Sequence, residues 1–343
     1  MNGVTIKDVA ADAGVSTATV SHVINQTRYV SDGVSKRVQN SIDKLNYYPN
    51  MLVGSLKGKG TYTIGMIIPS ITNETFGKMA ELIQTTLFDL GYNLIVCNTS
   101  FDTELEERAL NTFLMKKVDA VIAVPANSRC EKLEEIAKTN TPVILVDRIL
   151  KDVDTDTVVT DNYKGQYELT SYLIRMGHKN IGYVDRLIEQ SHSSDQRKGY
   201  LAALSDNGIE PDPENIINAN GHYYKAGMEA GHALMQKRPL LTAIACYYDP
   251  IAFGVMRGLT DLGYRIPDDV SVVGYDNMLF AEATWPALTT AEVPVKLIAE
   301  EACRILKLRL EENGSKNDKT NTIHTTFPPA LVIRESVKRI IDQ

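Results

Sequence analysis

The chain has 343 residues, 43% of them hydrophobic, and a formal net charge of −7. It contains no run of about 18 apolar residues and no charged-then-apolar leader, which argues against a membrane span or export and for a cytoplasmic protein. Cys97, Cys130, Cys246 and Cys303 have no metal or redox spacing and read as small buried hydrophobes; the six histidines form no i, i+4 zinc pair, and His222 and His232 read as helix-surface residues.

Residues 4–25 predict two short helices around a tight turn. Thr5 is placed to cap the first, with Asp8 three residues on as a variant capping box, Gly14 makes the turn, and Ser16 caps a second helix running to about Asn25. At 100° per residue, Val20, Val23 and Ile24 share one face of that second helix. Thr17, Ala18, Ser21, His22 and Asn25 take the opposite face, whose short polar side chains suit close approach to base edges and phosphates. Alone, the pattern fits an ordinary amphipathic helix pair equally well, and His22 a solvated surface histidine. Ser31 then opens a third helix, in which Val34, Val38, Ile42 and Leu45 recur at helical spacing. Tyr47, Tyr48 and Pro49 end it, Asn50 to Leu56 form a short segment, and GKGT at 58–61 reads as a linker. Residues 1–60 hold seven basic and four acidic residues, a net of +3, whereas the remainder holds 29 and 39, a net of −10. A basic head on an acidic body confines phosphate attraction to one end.

From Tyr62 onward apolar strands alternate with amphipathic helices. TYTIGMIIP, LIVC, DAVIAV and PVILVD form one series; VVTD, NIGYV, a weak strand near Ile216, LTAIAC and VSVVG form a second. Near-continuous apolar strands separated by helices imply parallel sheets covered on both faces. Two such series imply two doubly wound lobes. The helix from Val295 to Leu310 and the strand near 323–333 follow both series and are placed to cross back between lobes. Ligands in open parallel sheets sit at the carboxyl ends of strands. That rule selects Phe76 after IGMIIP, Asp147 and Arg148 after PVILV, and Asp276 after VSVVGY. Two carboxylates, a guanidinium and an aromatic plane suit a sugar. For Asp147 and Asp276 the competing assignment is a helix cap or an inter-lobe ion pair. No GxGxxG, GxxxxGK[ST] or ordered nucleophile–base–acid set occurs, so nothing points to an enzyme or to a cofactor.

TIKDVA, AGVS, TVSHVIN, VS at 30–31, LNYYPN and Leu56, in that order, resemble the headpiece of the lactose-repressor/galactose-repressor (LacI/GalR) family of bacterial transcription factors. VDR at 146–148, MGHKNIGYV, GYLAAL, IPDDVSVVGYDN and PALTT resemble its regulatory core, which is similar to periplasmic sugar-binding proteins. The resemblance implies a helix-turn-helix domain over 1–48, a hinge helix and linker over 49–61, and an effector-binding and dimerisation domain over 62–343. Within the last, an N-lobe of about 62–160 and 292–320 and a C-lobe of about 161–291 and 321–335 are expected. It further implies that Thr17, Ala18 and His22 read base edges, that Thr5, Ser16, Ser21, Asn25, Tyr47 and Asn50 hold phosphates or fix the headpiece, and that Leu56 wedges into the operator's central step.

Departures accompany the matches. Val53 and Gly54 weaken the hinge helix, since Gly costs ~1 kcal/mol relative to Ala inside a helix. Gln196 replaces the family's effector-contacting arginine, with Arg197 one place late; Tyr248 and Asp249 replace Asn-Asp or Ser-Asp; Glu74 stands where proline is common. All of these are candidate effector-site positions except the hinge pair and Glu74. A homodimer on a pseudo-palindromic operator is expected, because the ten residues RESVKRIIDQ are too few for the family's tetramerising helix. The expected function is a repressor whose operator affinity is set by a sugar or sugar derivative, with a purine or a phosphorylated protein as the alternative signal. A solute-binding protein and an α/β enzyme are the competing classes; the first 60 residues oppose the one, the missing catalytic set the other.

Overall fold

The computed structural model describes residues 4–25, 27–47, 60–127, 129–150, 154–186, 193–221, 223–312 and 321–340. It divides into two compact units, Met1–Thr61 and Tyr62–Gln343. Tyr48, Pro49, Asn50, Val53, Gly54, Leu56 and His222 lie outside the described residues.

The first unit is three helices, α1 (Ile6–Ala13), α2 (Thr17–Asn25) and α3 (Asp32–Leu45). Val9, Ala10, Ala13, Val20 and Val38 form its buried centre, with Val23, Ile24, Val34, Ile42, Leu45 and Tyr47 packed around them. Gly14, in the left-handed region at φ 65°, ends α1 and turns the chain into α2. Ser31 occupies the N-cap position of α3, but its side chain makes no cap hydrogen bond. The Asp12–Lys44 ion pair, at 2.6 Å, ties α1 to α3.

The second unit holds two parallel sheets. The first has the order β11-β5-β4-β3-β1-β2, from β1 (Thr63–Ile68), β2 (Asn93–Asn98), β3 (Ala120–Ala123), β4 (Val143–Val146), β5 (Asp156–Thr160) and β11 (His324–Phe327). Ile64, Met66 and Ile68 of β1 face one core and Ile67 another. Both faces are therefore buried, which is why the strands read as continuous apolar runs. The second sheet has the order β7-β6-β8-β9, from β6 (Ile181–Asp185), β7 (Ile216–Asn218), β8 (Ala243–Cys246) and β9 (Ser271–Val273). A short antiparallel pair, β10 (Thr290–Glu292) and β12 (Ala330–Val332), borders β9 through bridges at Val273 and Asp276.

The chain passes between lobes after β5, after β10 and after β11. The last passage corrects the expected boundary: residues 321–327 belong to the first lobe, because β11 pairs in parallel with β5. Asp156 explains this placement. Its carboxylate takes two hydrogen bonds from Arg309, at 2.8 and 2.7 Å, and one from the Ile323 amide at 2.9 Å. Arg309 lies in α12 (Val295–Glu312), so one buried acid fixes both the returning helix and the strand behind it.

Between α9 (Tyr223–Lys237) and α10 (Asp249–Asp261) the backbones touch. A Cβ at Gly254 would collide with the Tyr224 carbonyl, and one at Gly227 with the Ile251 carbonyl. His232 is held at this crossing, beside Gly258, rather than on the helix surface. Overpacking such a contact costs ~1–3 kcal/mol. Gly254→Val is expected to destabilise the protein by at least that amount in denaturant unfolding. Gly33→Ala, where a Cβ meets open space, is expected to be neutral or to stabilise by up to ~1 kcal/mol. Equal effects at the two positions would refute the packing argument.

Candidate functional site

In the headpiece, local capping presents α2. The Asp8 carboxylate accepts from both the Thr5 amide, at 2.8 Å, and the Thr5 hydroxyl, at 2.7 Å. These bonds hold the Asp8 carboxyl below its usual range. Ser16 Oγ accepts from the Thr19 amide at 3.1 Å and so caps α2. Val20 points into the core, while Thr17, Ala18 and Asn25 are exposed and Ser21 and His22 are partly exposed beside them. Asn25 Nδ2 donates to the Ser21 carbonyl at 2.9 Å, and His22 Nδ1 lies 2.8 Å from the Thr27 hydroxyl, so both side chains are held against the helix. Thr5 and Ser16 spend their side chains on the caps yet remain exposed; Tyr47 packs on the headpiece core. Asn50 and Leu56 fall outside the described residues.

In the second unit, the carboxyl ends of the strands from both lobes meet at one cleft. Its lining comprises Asn73, Thr75 and Phe76 after β1, Phe101 after β2, Asp147 and Arg148 after β4, and Asn162 after β5. The other lobe supplies Arg186 and Gln196 after β6, Tyr223 after β7, Tyr247 and Tyr248 after β8, Asp276 after β9 and Val293 after β10. Phe101, Asp147 and Asp276 have φ of 60°, 66° and 105°. Non-glycine residues held in this region cost about 1–3 kcal/mol each and concentrate at ligand sites.

Of the sequence-selected residues, Phe76, Asp147, Arg148, Gln196, Tyr248 and Asp276 line this cleft. Arg197 and Asp249 do not. Arg197 turns to Asp185, 3.7 Å away. Asp249 is fully buried at the start of α10, where Oδ1 accepts from the Thr290 hydroxyl at 2.7 Å and Oδ2 from the Met278 amide at 2.8 Å. Its role is to fasten the loop carrying Asp276. Gln196 is buried and donates to the Tyr247 carbonyl at 3.3 Å, positioning a cleft ring rather than replacing an arginine's charge. Arg186, Phe101, Asn162 and Tyr223 were not selected from the sequence. Arg186 carried a signal: Val-Asp-Arg at 184–186 repeats Val-Asp-Arg at 146–148, each at a strand's carboxyl end.

Four hydrogen bonds between the first turn of α4 (Glu74–Asp89), with its cap, and the other lobe cross the cleft. Asn73 Nδ2 donates to the Tyr248 hydroxyl at 2.8 Å, Thr75 Oγ1 to Asp276 Oδ2 at 3.2 Å, and the Leu279 amide to both Glu74 oxygens at 3.1 and 3.0 Å. Glu74, the departure from a common proline, thus joins the lobes.

Burial, with the neighbouring carboxyls of Asp249 and Asp147, pushes Asp276 up to about 8. An unfolded Asp titrates near ~3.9, so the folded chain holds an extra proton between these values and loses stability as pH rises through that window. Asp276→Asn removes this dependence. Relative to the parent, the variant's Tm is expected to rise between about pH 4 and pH 8 in calorimetry; a difference that stays constant with pH would count against the assignment.

The comparisons with known proteins agree with this geometry. Residues 5–50 match the model of bacterial regulatory proteins of the lacI family, and residues 61–320 that of periplasmic binding proteins and the sugar-binding domain of the LacI family. The chain is 34% identical over 338 residues to the HTH-type transcriptional repressor PurR of Actinobacillus pleuropneumoniae serotype 3 (strain JL03), and 35% identical over 338 residues to that of Vibrio vulnificus (strain CMCP6). In each case 98% of this chain and 99% of the relative are covered. Among solved structures, the lac repressor dimer bound to operator and the anti-inducer ONPF is 25% identical and superposes with a TM-score of 0.85, covering 98% of this chain and 100% of that one. A complex of the transcriptional regulator CelR with cellobiose is 25% identical with a TM-score of 0.72, covering 97% and 99%. Among the described residues no helix is long and apolar enough to cross a membrane. The chain belongs to the LacI family and is a DNA-binding transcriptional repressor with a ligand-binding domain.

Proposed function

We propose that the repressor acts as a homodimer on a pseudo-palindromic operator, with operator affinity set by a carbohydrate-class molecule held in the cleft between the lobes. One observation carries the effector class. Two carboxylates (Asp147, Asp276) and three amides (Asn73, Asn162, Gln196) surround the rings of Phe76, Phe101, Tyr223, Tyr247 and Tyr248. The Asp147 carboxylate accepts from sugar hydroxyls, the Asp276 carboxyl, protonated below about pH 8, both donates and accepts, as do the amides, and rings cover C–H faces. The cellobiose complex of CelR supports the same class. A purine is the second reading, favoured by the name PurR of the curated relatives and by the same rings, which could sandwich a planar base. The lac repressor dimer on its operator supports the dimeric arrangement.

In this reading Thr17, Ala18 and His22 read base edges from α2 and Thr5, Ser16, Ser21, Asn25, Tyr47 and Asn50 secure the headpiece on the backbone. Leu56 enters the minor groove at the operator's centre. Ligand contacts that differ between open and closed cleft supply the coupling, typically ~1–3 kcal/mol.

Two measurements test the proposal. In fluorescence-anisotropy titrations with the operator-containing DNA upstream of its own reading frame, Leu56→Ala is expected to lose at least tenfold in specific affinity with little change on scrambled DNA. Equal losses on both DNAs would remove the wedge role. His22→Ala is expected to cost ~1–3 kcal/mol on the operator and to relax preference at one base pair per half-site. For the effector class, a thermal-shift screen of neutral sugars, sugar derivatives and purine bases is decisive. A purine that raises Tm and alters operator affinity, with every sugar inert, would overturn the carbohydrate reading.

A further inference from the structure

One end of the cleft is built differently from the rest. Arg148 and Arg186, from opposite lobes, flank a single ring: their guanidinium carbons lie 5.8 and 5.7 Å from the centroid of Phe101. Arg186 also lies 4.5 Å from the centroid of Tyr223. Each arginine ends a Val-Asp-Arg sequence at a strand's carboxyl end, so both reach the cleft by the same local route.

Neither guanidinium has its charge matched by direct pairing. Among the described residues no ion pair reaches Arg148 or Arg186. Arg148 is 6% exposed, and among the described residues its one hydrogen bond runs from Nη1 to the Ala126 carbonyl. Its Nε is buried and has no partner. The Asp147 and Glu106 carboxylates act on it through charge without forming an ion pair, and Glu106 accepts from the Ala126 amide at 2.6 Å, so it shares the backbone anchor. A buried cation without a direct partner is costly, and an unsatisfied buried donor adds to that cost. Arg186 is half-buried and hydrogen-bonds the Tyr247 and Tyr223 side chains, so neither of its neighbours there carries a formal charge. With Arg148 beside the same Phe101 ring, the two cations form a fork open to a shared acceptor. Arginine pairs of this kind suit planar or tetrahedral oxyanions, which accept several N–H groups at once.

We propose that the effector is a hydroxylated molecule bearing an anionic group, phosphate or carboxylate, bound between Arg148 and Arg186 at the Phe101 end of the cleft. The proposal rests on the carbohydrate-class reading above and narrows it. The hydroxylated body of the ligand then lies toward Asp276, Asn73 and Tyr248, where acceptors and amides gather. The anion contacts one arginine from each lobe, so it closes the cleft as it binds.

The test is isothermal titration of the full-length protein with matched probes: glucose, galactose, mannose and fructose, the 6-phosphate of each, glucuronate and galacturonate, hypoxanthine, and inorganic phosphate alone. At least one phosphate or uronate is expected to bind tenfold or more tightly than its neutral partner, with an affinity that falls as salt rises from 50 to 300 mM. Arg186→Gln is expected to abolish that preference and its salt dependence, while Arg186→Lys, which keeps the charge, retains most of both. If Arg186→Gln fails to fold, the parent's salt dependence and the Lys variant still decide. Equal or tighter binding of the neutral sugars overturns the anionic site and leaves the carbohydrate reading standing. Binding of hypoxanthine with no sugar or derivative bound overturns both, as does a panel in which nothing binds. A phosphate or uronate preference that survives Arg186→Gln unchanged also overturns the proposed site.

Discussion

The first turn of α4 is the constraint on which the regulatory unit depends. Asn73, Glu74 and Thr75 grip three points of the opposite lobe: a tyrosine hydroxyl, a backbone amide and a carboxylate. Two of the three partners, Tyr248 and Asp276, also line the cleft. A ligand that touches either competes with or reinforces the same contacts that set the lobe angle. On the proposed reading, occupancy and closure are joined by hydrogen bonds a few ångströms long, without any separate transmission path.

Around that grip, the rest of the unit keeps the strand ends aligned. The buried pair of Asp156 and Arg309 fixes β11 beside β5 and holds α12 against the first lobe. Asp249 does the equivalent work in the second lobe, binding Thr290 and Met278 so that the loop bearing Asp276 has one position. The glycine contacts between α9 and α10 leave that lobe little freedom to shear. Rigidly packed lobes leave the three passages between them as the segments best placed to absorb a change in lobe angle.

Much of this was legible beforehand because its causes are local. The capped helix pair, the two strand series and the strand-end rule are each written in spacing and residue type, and they led to Phe76, Asp147, Arg148 and Asp276. Arg186 and Tyr223 were missed for a physical reason. The strand-end rule says where side chains converge, but the partner that makes a cation notable, here the Phe101 ring shared with Arg148, comes from another strand. Asp249 and Arg197 failed in the opposite sense. They occupy the right segments, yet one turn of helix directs Asp249 inward and Arg197 toward Asp185.

By itself the sequence determined the basic head, the exposed polar face of α2 and two parallel-sheet lobes, because helix caps, turn glycines and hydrophobic periods act over a few residues. Only the tertiary structure decided which lobe β11 joins, that Glu74 spans the cleft, and that two arginines face one ring across it. The first two link residues 167 and 205 positions apart and the third joins separate strands, and no local period encodes a distance between two sheets.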